Sequence, residues 1–376
     1  MTTFELYTIP PEMSGWEVPA CGPSRFSWEY DDSRAQLLKL YSRGKAKQWD
    51  AADRIDWDLE LDRDDLLCLP EEMQTLYGTP MWDKMNKRER RELSRHSTAW
   101  QFSQFLHGEQ GALICSARIV ETAPDMDSKF FAATQVMDEA RHAEAYARFL
   151  KEKVGLYYPI NLQLRALLDD TLSDSRWDMP YLGMQVLIEG LGLAAFGLLR
   201  DSTPLALPQQ ILSYVMEDEA RHVAFGRIAL RDLYSQLTSA ERAEREEFVI
   251  QGCWLMRDRL RGDEIWERFG LPAKETLQAV ERSEYLQSFR QLLFTRIVPC
   301  VRDIGLWSPT VRDTFAAMGV SNLEDGNLDA LLHDDEDKAR RLDRQRRWAA
   351  EEAVRAREVE QTILLAASDT GSKANP

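Results

Sequence analysis

Cysteine and long apolar runs are scarce in this chain of 376 residues, basic residues are outnumbered by acidic ones, and each of these features argues against a class of protein. The five cysteines are scattered, and none forms a Cys-x-x-Cys pair, which excludes a disulfide framework, a thiolate zinc site and a cysteine-ligated iron–sulfur cluster. No run approaches the ~20 apolar residues that a membrane span needs. The first residues lack the basic and apolar segments of a secretion signal. We therefore predict a cytoplasmic protein with free thiols and no membrane contact.

The charge balance is acidic. The chain has 47 Lys and Arg residues against 63 Asp and Glu residues, and its formal charge of −16 argues against nucleic acid as a partner. Strand patterns are almost absent, whereas apolar residues recur at helical spacing over long stretches. The sequence therefore predicts an all-α fold.

Breaks in the helical pattern divide the chain into four parts. We predict an N-terminal arm with short helices (1–88), a four-helix bundle (89–236), C-terminal accessory helices (237–365) and a disordered tail (366–376). Within the arm, residues 1–50 are expected to be irregular. The bundle helices are expected at about 87–122, 125–153, 177–200 and from the break at 201–204 to about 236.

A repeated pattern of acidic residues and histidine is the most informative feature that the chain does contain. Two triplets of Glu, Glu and His share the same internal spacing and are offset by 80 residues. They are Glu109, Glu139 and His142, and Glu189, Glu219 and His222. Each copy ends in the pentapeptide Asp-Glu-Ala-Arg-His, whereas chance predicts roughly 0.4 Glu-x-x-His matches in the whole chain. The repeat is therefore a strong signal of a shared site.

The spacing also predicts how these residues meet. The midpoint of each Glu pair is a proline, Pro124 in the first copy and Pro204 in the second. If each helix pair folds back there, both Glu lie about 15 residues, or roughly 22 Å, from the turn. Two such hairpins bring four carboxylates to one level, with each His on the same helix face as the Glu three residues before it. Six carboxylate and imidazole ligands suit two octahedral-type iron or manganese ions and do not suit a thiolate zinc site.

The pentapeptide that occurs in both copies contains four further residues that would support the site. Asp138 and Asp218 each lie four residues before a His, and we predict that they accept a hydrogen bond from a ring N–H and so fix its tautomer. Arg141 and Arg221 are expected to balance the charge of these Asp residues. The pattern leaves open whether each Asp serves its own His or the one on the facing helix.

At these residues the chain resembles the ferritin-like di-iron carboxylate superfamily. That group includes bacterial multicomponent hydroxylases, acyl-carrier desaturases, arylamine N-oxygenases and the radical-generating subunit of ribonucleotide reductase. The resemblance covers roughly residues 90–235 and implies two Fe ions, with Mn/Fe as an alternative, in a dimeric protein. It also implies terminal ligands for one metal (Glu109, His142), terminal ligands for the other (Glu189, His222) and two bridging carboxylates (Glu139, Glu219).

At three positions, the residues of this chain can be compared with those that distinguish the subgroups of this superfamily. The hydroxylases usually carry Thr one turn after the third Glu, where this chain has Leu193. The arylamine N-oxygenases carry a third His one turn before the last Glu, where this chain has Val215. Tyr146, seven residues after Glu139, resembles the radical tyrosine of the reductase subunit, and the alternative is a tyrosine of the core or of a substrate pocket.

The leading functional hypothesis is a di-iron oxidoreductase that activates O2 and oxidises a small organic substrate by hydroxylation, N-oxygenation or desaturation. Because the chain has no flavin fingerprint and no iron–sulfur motif, electrons are expected from a ferredoxin or another external reductase. The alternative is a tyrosyl radical generator that uses Tyr146, and a metal-storage role is a third hypothesis. Resemblance to the superfamily also predicts a homodimer.

Overall fold

In a computed structural model, the described residues are 15–19, 22–27, 30, 34–62 and 68–371. They contain no strand, so the predicted all-α fold is confirmed. The α-helices are α1 (Ala35–Ala46), α2 (Ala51–Arg54), α3 (Pro80–Lys84), α4 (Lys87–Thr122), α5 (Met126–Arg148), α6 (Leu162–Ser173), α7 (Glu189–Ser202), α8 (Ala206–Tyr234), α9 (Ser239–Asp258), α10 (Asp263–Arg268), α11 (Ala273–Arg282), α12 (Glu284–Asp303), α13 (Pro309–Ala317) and α14 (Leu328–Gly371).

Four long helices, α4, α5, α7 and α8, form the bundle in which the repeated pattern lies. Helix α4 begins with a capping box, in which the Asn86 side chain accepts from the N–H of Glu89 and the Glu89 side chain accepts from the N–H of Asn86. Asp125 caps the N-terminus of α5, where its side chain accepts from the N–H of Ser128. The two prolines at the pattern midpoints lie in the short connections α4–α5 and α7–α8, so the predicted hairpin turns are confirmed.

The third bundle helix begins with eight residues of π-helix, Tyr181–Ile188, which run directly into α7 at Glu189. All eight side chains are buried. Turns of π-helix are rare and are found most often at functional sites. The whole helix, Tyr181–Ser202, is long and apolar enough to cross a membrane, but 83% of its apolar window is buried inside the protein. Its composition is therefore that of a core helix.

A glycine sets the approach of this helix to α8. A Cβ atom at Gly226 would lie 2.5 Å from the Cβ of Gln185, which is closer than side-chain carbons approach one another. Gln185 precedes Glu189 by one turn, and Gly226 follows His222 by one turn. The missing side chain thus lets the two helices meet beside these two predicted ligands.

The structure differs from the sequence interpretation at both ends of the chain. Residues 35–46, which were expected to be irregular, form α1, whose contacts are with α5 and α8 of the bundle. Helix α14 continues to Gly371, although a disordered tail was expected from residue 366. The last five residues, 372–376, lie outside the described residues.

Candidate metal centre

The structure brings all six predicted metal ligands together inside the bundle. They fall into two groups of four, and within each group the ligand atoms lie within 4.8 Å of one another. One group contains Glu109, Glu139, His142 and Glu219, and the other contains Glu139, Glu189, Glu219 and His222. All six side chains are buried, and the groups share Glu139 and Glu219. This is the division into terminal and bridging carboxylates that the resemblance implies.

Both imidazole rings present one nitrogen to the carboxylates and the other to an Asp of the opposite hairpin. The Nδ1 atom of His142 lies 3.1–3.4 Å from oxygens of the first carboxylate group, whereas its Nε2 atom lies 3.1 Å from Oδ2 of Asp218. His222 mirrors this arrangement, with Nε2 3.2 Å from Oδ2 of Asp138. A carboxylate at Nε2 keeps the proton there, which leaves the Nδ1 lone pair free to bind a metal. The question left open by the sequence is thus answered: each Asp serves the His of the facing helix.

The two Asp residues are held by the two Arg residues of the repeat. The Arg141 guanidinium donates to Asp138 at 2.5 Å and to Asp218 at 2.7 Å. Arg221 donates to Asp218 and lies 3.7 Å from Asp138. All four charges are buried, and each is paired with an opposite charge, as burial requires. The predicted charge balance is therefore present in the structure.

Three further side chains orient this network, and the sequence interpretation missed them. Gln48 donates to Asp138 at 2.7 Å and Trp49 donates to Asp218 at 2.8 Å, both from the segment after α1. Gln135 donates to Glu139 at 2.9 Å and to Glu189 at 2.8 Å. Gln135 could have been found, because it lies one turn before Glu139 on the same face of the helix. Nothing in the sequence indicates that Gln48 and Trp49 reach the site.

The carboxylate cluster is electrostatically strained as long as it contains protein atoms alone. Burial, together with repulsion from Glu219, raises the pKa of Glu109 and of Glu189 well above the usual value. Burial alone would lower the pKa of His142, but its hydrogen bond with Asp218 and the surrounding Glu residues raise it well above the usual value. Without a metal, protons are therefore held on groups that would be metal ligands.

The donor atoms of the cluster fit two divalent cations. Buried oxygens of Glu139, Glu189 and Glu219, and Nδ1 of His222, have no hydrogen-bond partner, although Nδ1 of His222 lies 3.4 Å from Oε2 of Glu219. Unpartnered buried polar atoms are rare and costly. Since the two Asp and two Arg charges cancel, the four Glu leave four negative charges, which two divalent ions would neutralise. Carboxylate oxygen and imidazole nitrogen are ligands that iron and manganese accept.

Tyr146 lies near the candidate ligands, whereas His107 belongs to neither ligand group. Tyr146 is fully buried among the rings of Phe102, Phe105 and Phe196, and its hydroxyl has no hydrogen-bond partner. Burial, with the nearby charge of Glu109, raises the pKa of Tyr146 well above its usual value. His107 instead lies with Nε2 2.9 Å from the carbonyl oxygen of Tyr158, away from both ligand groups.

A largely apolar cavity of about 100 Å³ reaches three of the candidate ligands, Glu109, Glu189 and Glu219. Its bundle wall comes from α4 and α7, including Phe105 and Gly192. Much of the remaining wall comes from the accessory part of the chain, from the segment after α9, from α10 and from the start of α12. The accessory helices therefore complete a pocket that the bundle alone would leave open.

Comparison with known proteins gave a match to a family model. The family model described as the P-aminobenzoate N-oxygenase AurF matches residues 30–176, under half of the chain, including Glu109, Glu139 and His142. Comparison with the curated proteins gave no match.

Solved structures of the R2-like ligand-binding oxidase show a distant likeness. A form with an aerobically reconstituted Mn/Fe cofactor (long soak) is 15% identical, with a TM-score of 0.47 over 73% of this chain and 94% of the other. A variant of that oxidase, also with an aerobically reconstituted Mn/Fe cofactor, is 15% identical, with a TM-score of 0.48 over 73% and 96%.

Six buried candidate ligands form two overlapping groups, and half of them lie within the match to the N-oxygenase family. These findings confirm the predicted resemblance to the ferritin-like di-iron carboxylate superfamily, and they indicate an oxidoreductase with a dimetal site.

Proposed function

We propose that this protein is an O2-activating dimetal oxidoreductase that oxidises a small organic substrate held in the cavity beside the metals. The observation that carries the proposal is the meeting of a complete set of six candidate ligands with the inner wall of an apolar cavity. Glu109 and His142 would bind one metal, Glu189 and His222 the other, and Glu139 and Glu219 both. Two reduced iron ions, or a manganese and an iron ion, would supply electrons for the reduction of O2.

The side chains around the site suit this chemistry. The apolar cavity walls would exclude bulk water and hold a substrate next to Glu109, Glu189 and Glu219. Gln135 would orient Glu139 and Glu189, and the Asp–Arg network would hold both imidazoles in the binding tautomer. Electrons would come from a ferredoxin or reductase, since the chain has no motif for a redox cofactor of its own.

Among the oxidations that the site could support, the match to an N-oxygenase family favours N-oxygenation. The protein would differ from the arylamine N-oxygenases at Val215, a fully buried side chain that offers no ligand atom in place of their third His. The position one turn after Glu189 is Leu193, which is also buried and apolar and so lacks the hydroxyl of the hydroxylases.

The test is metal loading followed by O2 consumption. The purified protein would be loaded with Fe(II) without oxygen, and bound iron and O2 uptake after reduction would then be measured. We expect about two irons per chain in the natural protein and a loss of both signals in Glu139→Gln. Glu144→Gln, on the exposed face of the same helix, is the matched control and should behave like the natural protein. A natural protein that binds no metal, or metal with no O2 uptake, would refute the proposal.

A tyrosyl radical generator is the second candidate function. It is favoured by Tyr146, whose buried hydroxyl lacks a hydrogen-bond partner and whose pKa responds to Glu109 of the metal cluster. The expected result is a tyrosyl signal in the electron paramagnetic resonance spectrum after O2 reaches the iron-loaded protein. That signal should vanish in Tyr146→Phe and persist in Tyr181→Phe, which removes another buried tyrosine. Its absence from the natural protein would exclude this function.

A further inference from the structure

The cavity contains one buried positive charge that no acidic residue pairs. Arg259 lies just after α9, and its side chain lines the cavity with only 7% of its surface exposed. Its Nε atom is buried without a hydrogen-bond partner, and its Nη1 atom reaches only the sulfur of Met256, at 3.6 Å. Thioether sulfur is a weak acceptor. In the part of the chain that the structure describes, Arg259 forms no ion pair.

The acidic residue whose charge acts on Arg259 already accepts hydrogen bonds from other donors. Glu264 is the one carboxylate whose charge favours the charged form of Arg259. Its two oxygens accept hydrogen bonds from Trp100 at 3.0 Å and from Asn161 at 2.8 Å. Burial therefore dominates and lowers the pKa of Arg259 to about 10. A guanidinium in this position stays charged at neutral pH but lacks the anion that its burial calls for.

Other arginines nearby are paired with acidic residues, as is usual for charged side chains with restricted exposure. Arg261 lines the same cavity, but it donates to Glu281 at 2.8 Å and lies 3.5 Å from Asp258. Arg257, one half-turn before Arg259, pairs with Asp258 and packs against the ring of Trp254. The buried Arg245 is paired with Asp178 at 3.0 Å. Of these four arginines in the described part of the chain, only Arg259 lacks an acidic partner.

From this juxtaposition we infer that Arg259 binds the carboxylate of an organic anion whose apolar body fills the cavity and extends toward the metal centre. A single guanidinium fork matches one carboxylate in charge and geometry. A phosphate dianion would need more donors than the apolar walls around Arg259 provide. The inference rests on the proposed function, because it names the substrate class for the same cavity.

Binding measurements with small probes test this inference. The metal-loaded protein would be titrated by calorimetry with benzoate and hexanoate, and with benzamide and hexanamide as neutral counterparts of the same shape. We expect each carboxylate to bind at least about 10-fold more tightly than its amide, since a charge-assisted hydrogen bond contributes that much or more. Arg259→Gln should weaken carboxylate binding by about 10- to 100-fold and leave amide binding unchanged.

Two further variants make the result interpretable. Arg259→Lys keeps the charge without the fork and should bind the carboxylates with intermediate affinity. Arg257→Gln removes a guanidinium from the same helix end outside the cavity and should bind every probe like the natural protein. Loss of an unpaired buried charge should not impair folding, so Arg259→Gln should unfold at the same temperature as the natural protein or higher.

Several outcomes would overturn the inference. These are equal affinity for carboxylates and amides, no saturable binding of either carboxylate, or carboxylate binding that survives Arg259→Gln, as it would if the anion bound to the metals. The failure of the proposed function looks different. If the protein binds benzoate through Arg259 but consumes no O2, the carboxylate site stands and the proposed oxidoreductase function is refuted. If the protein consumes O2 but shows no preference for carboxylates, the proposed function stands and the carboxylate site is refuted.

Discussion

The crossed arrangement of Asp and His makes a prediction that is specific to one metal position. Asp218 lies on α8 beside Glu219, but its Oδ2 atom accepts from His142 on α5 at 3.1 Å, as well as from Arg141 and Trp49. Asp218→Asn should therefore weaken the metal bound by His142 and leave the metal bound by His222. A ligand assignment based on sequence neighbours would predict the opposite.

The size of the effect follows from the contacts of the two oxygens. Oδ2 of Asp218 accepts from His142, Arg141 and Trp49, while Oδ1 accepts from Arg221. The amide of Asn has one acceptor atom, so one of these sides must face an NH2 group. If that group faces His142, the ring proton moves to Nδ1 and blocks the metal-binding lone pair. Loss of such a partner usually lowers metal affinity by about 10- to 100-fold.

Anomalous diffraction at the iron edge, on crystals soaked with limiting Fe(II), gives the occupancy of each position separately. Asp218→Asn should lower occupancy at the His142 position, and Asp138→Asn should lower it at the His222 position. Asp232→Asn, which changes an exposed Asp further along α8, serves as the control and should lower neither. Equal losses at both positions in Asp218→Asn, or a loss at His222 alone, would refute the crossed arrangement.

Three other predictions concern stability. The metal-free protein should lose stability as pH rises from 5 to 8. The pKa of Glu109 is raised in the folded protein, so the folded state keeps a proton on Glu109 that the unfolded chain has already released. The midpoint of thermal unfolding should therefore fall with rising pH, and metal loading should remove this dependence. Arg259→Met should raise the free energy of unfolding by about 1–3 kcal/mol in denaturant titrations without added anion, because burial lowers the pKa of Arg259 to about 10, a cost on the order of 3 kcal/mol. A decrease in the free energy of unfolding would reveal a stabilising contact of Arg259. Gly226→Ala should lower the free energy of unfolding by about 1–3 kcal/mol and reduce bound metal, because its Cβ would push Gln185 and the third helix away. Gly108→Ala, where a Cβ meets nothing within 4 Å, is the control. Equal stability and metal content of the two variants would contradict the close-packing argument.

The convergence of the ligands could be predicted from sequence because the repeat encodes it. Spacing from a proline turn fixes the height of each Glu on its helix, and the three-residue step fixes the face of each His. Helix α4 was accordingly predicted with the bounds that it has, Lys87–Thr122. Such spacing is a property of one continuous stretch of chain, so it can be recognised from the sequence alone.

Contacts between distant stretches could not be predicted in this way. Trp49 and Asp218 are 169 positions apart, and only tertiary packing places them side by side. The same holds for Arg259, whose significance depends on which acidic residues fail to reach it. The π-helical turns before Glu189 likewise carry no periodic signature, since an apolar run reads as α-helix or π-helix equally well. Packing decides these features, and packing is not a property of a window of sequence.

The reach of Gln48 and Trp49 to the Asp carboxylates has a consequence for dissection and transplantation of this centre. A fragment that starts at α4 would retain every candidate ligand, yet its imidazoles would lose two of the donors that hold Asp138 and Asp218 in place. The smallest unit of the site that could be transplanted therefore includes the segment after α1 that carries Gln48 and Trp49, together with α1, which packs on α5 and α8. We expect tight metal binding only when this segment is docked on the bundle, so that loss of one should entail loss of the other.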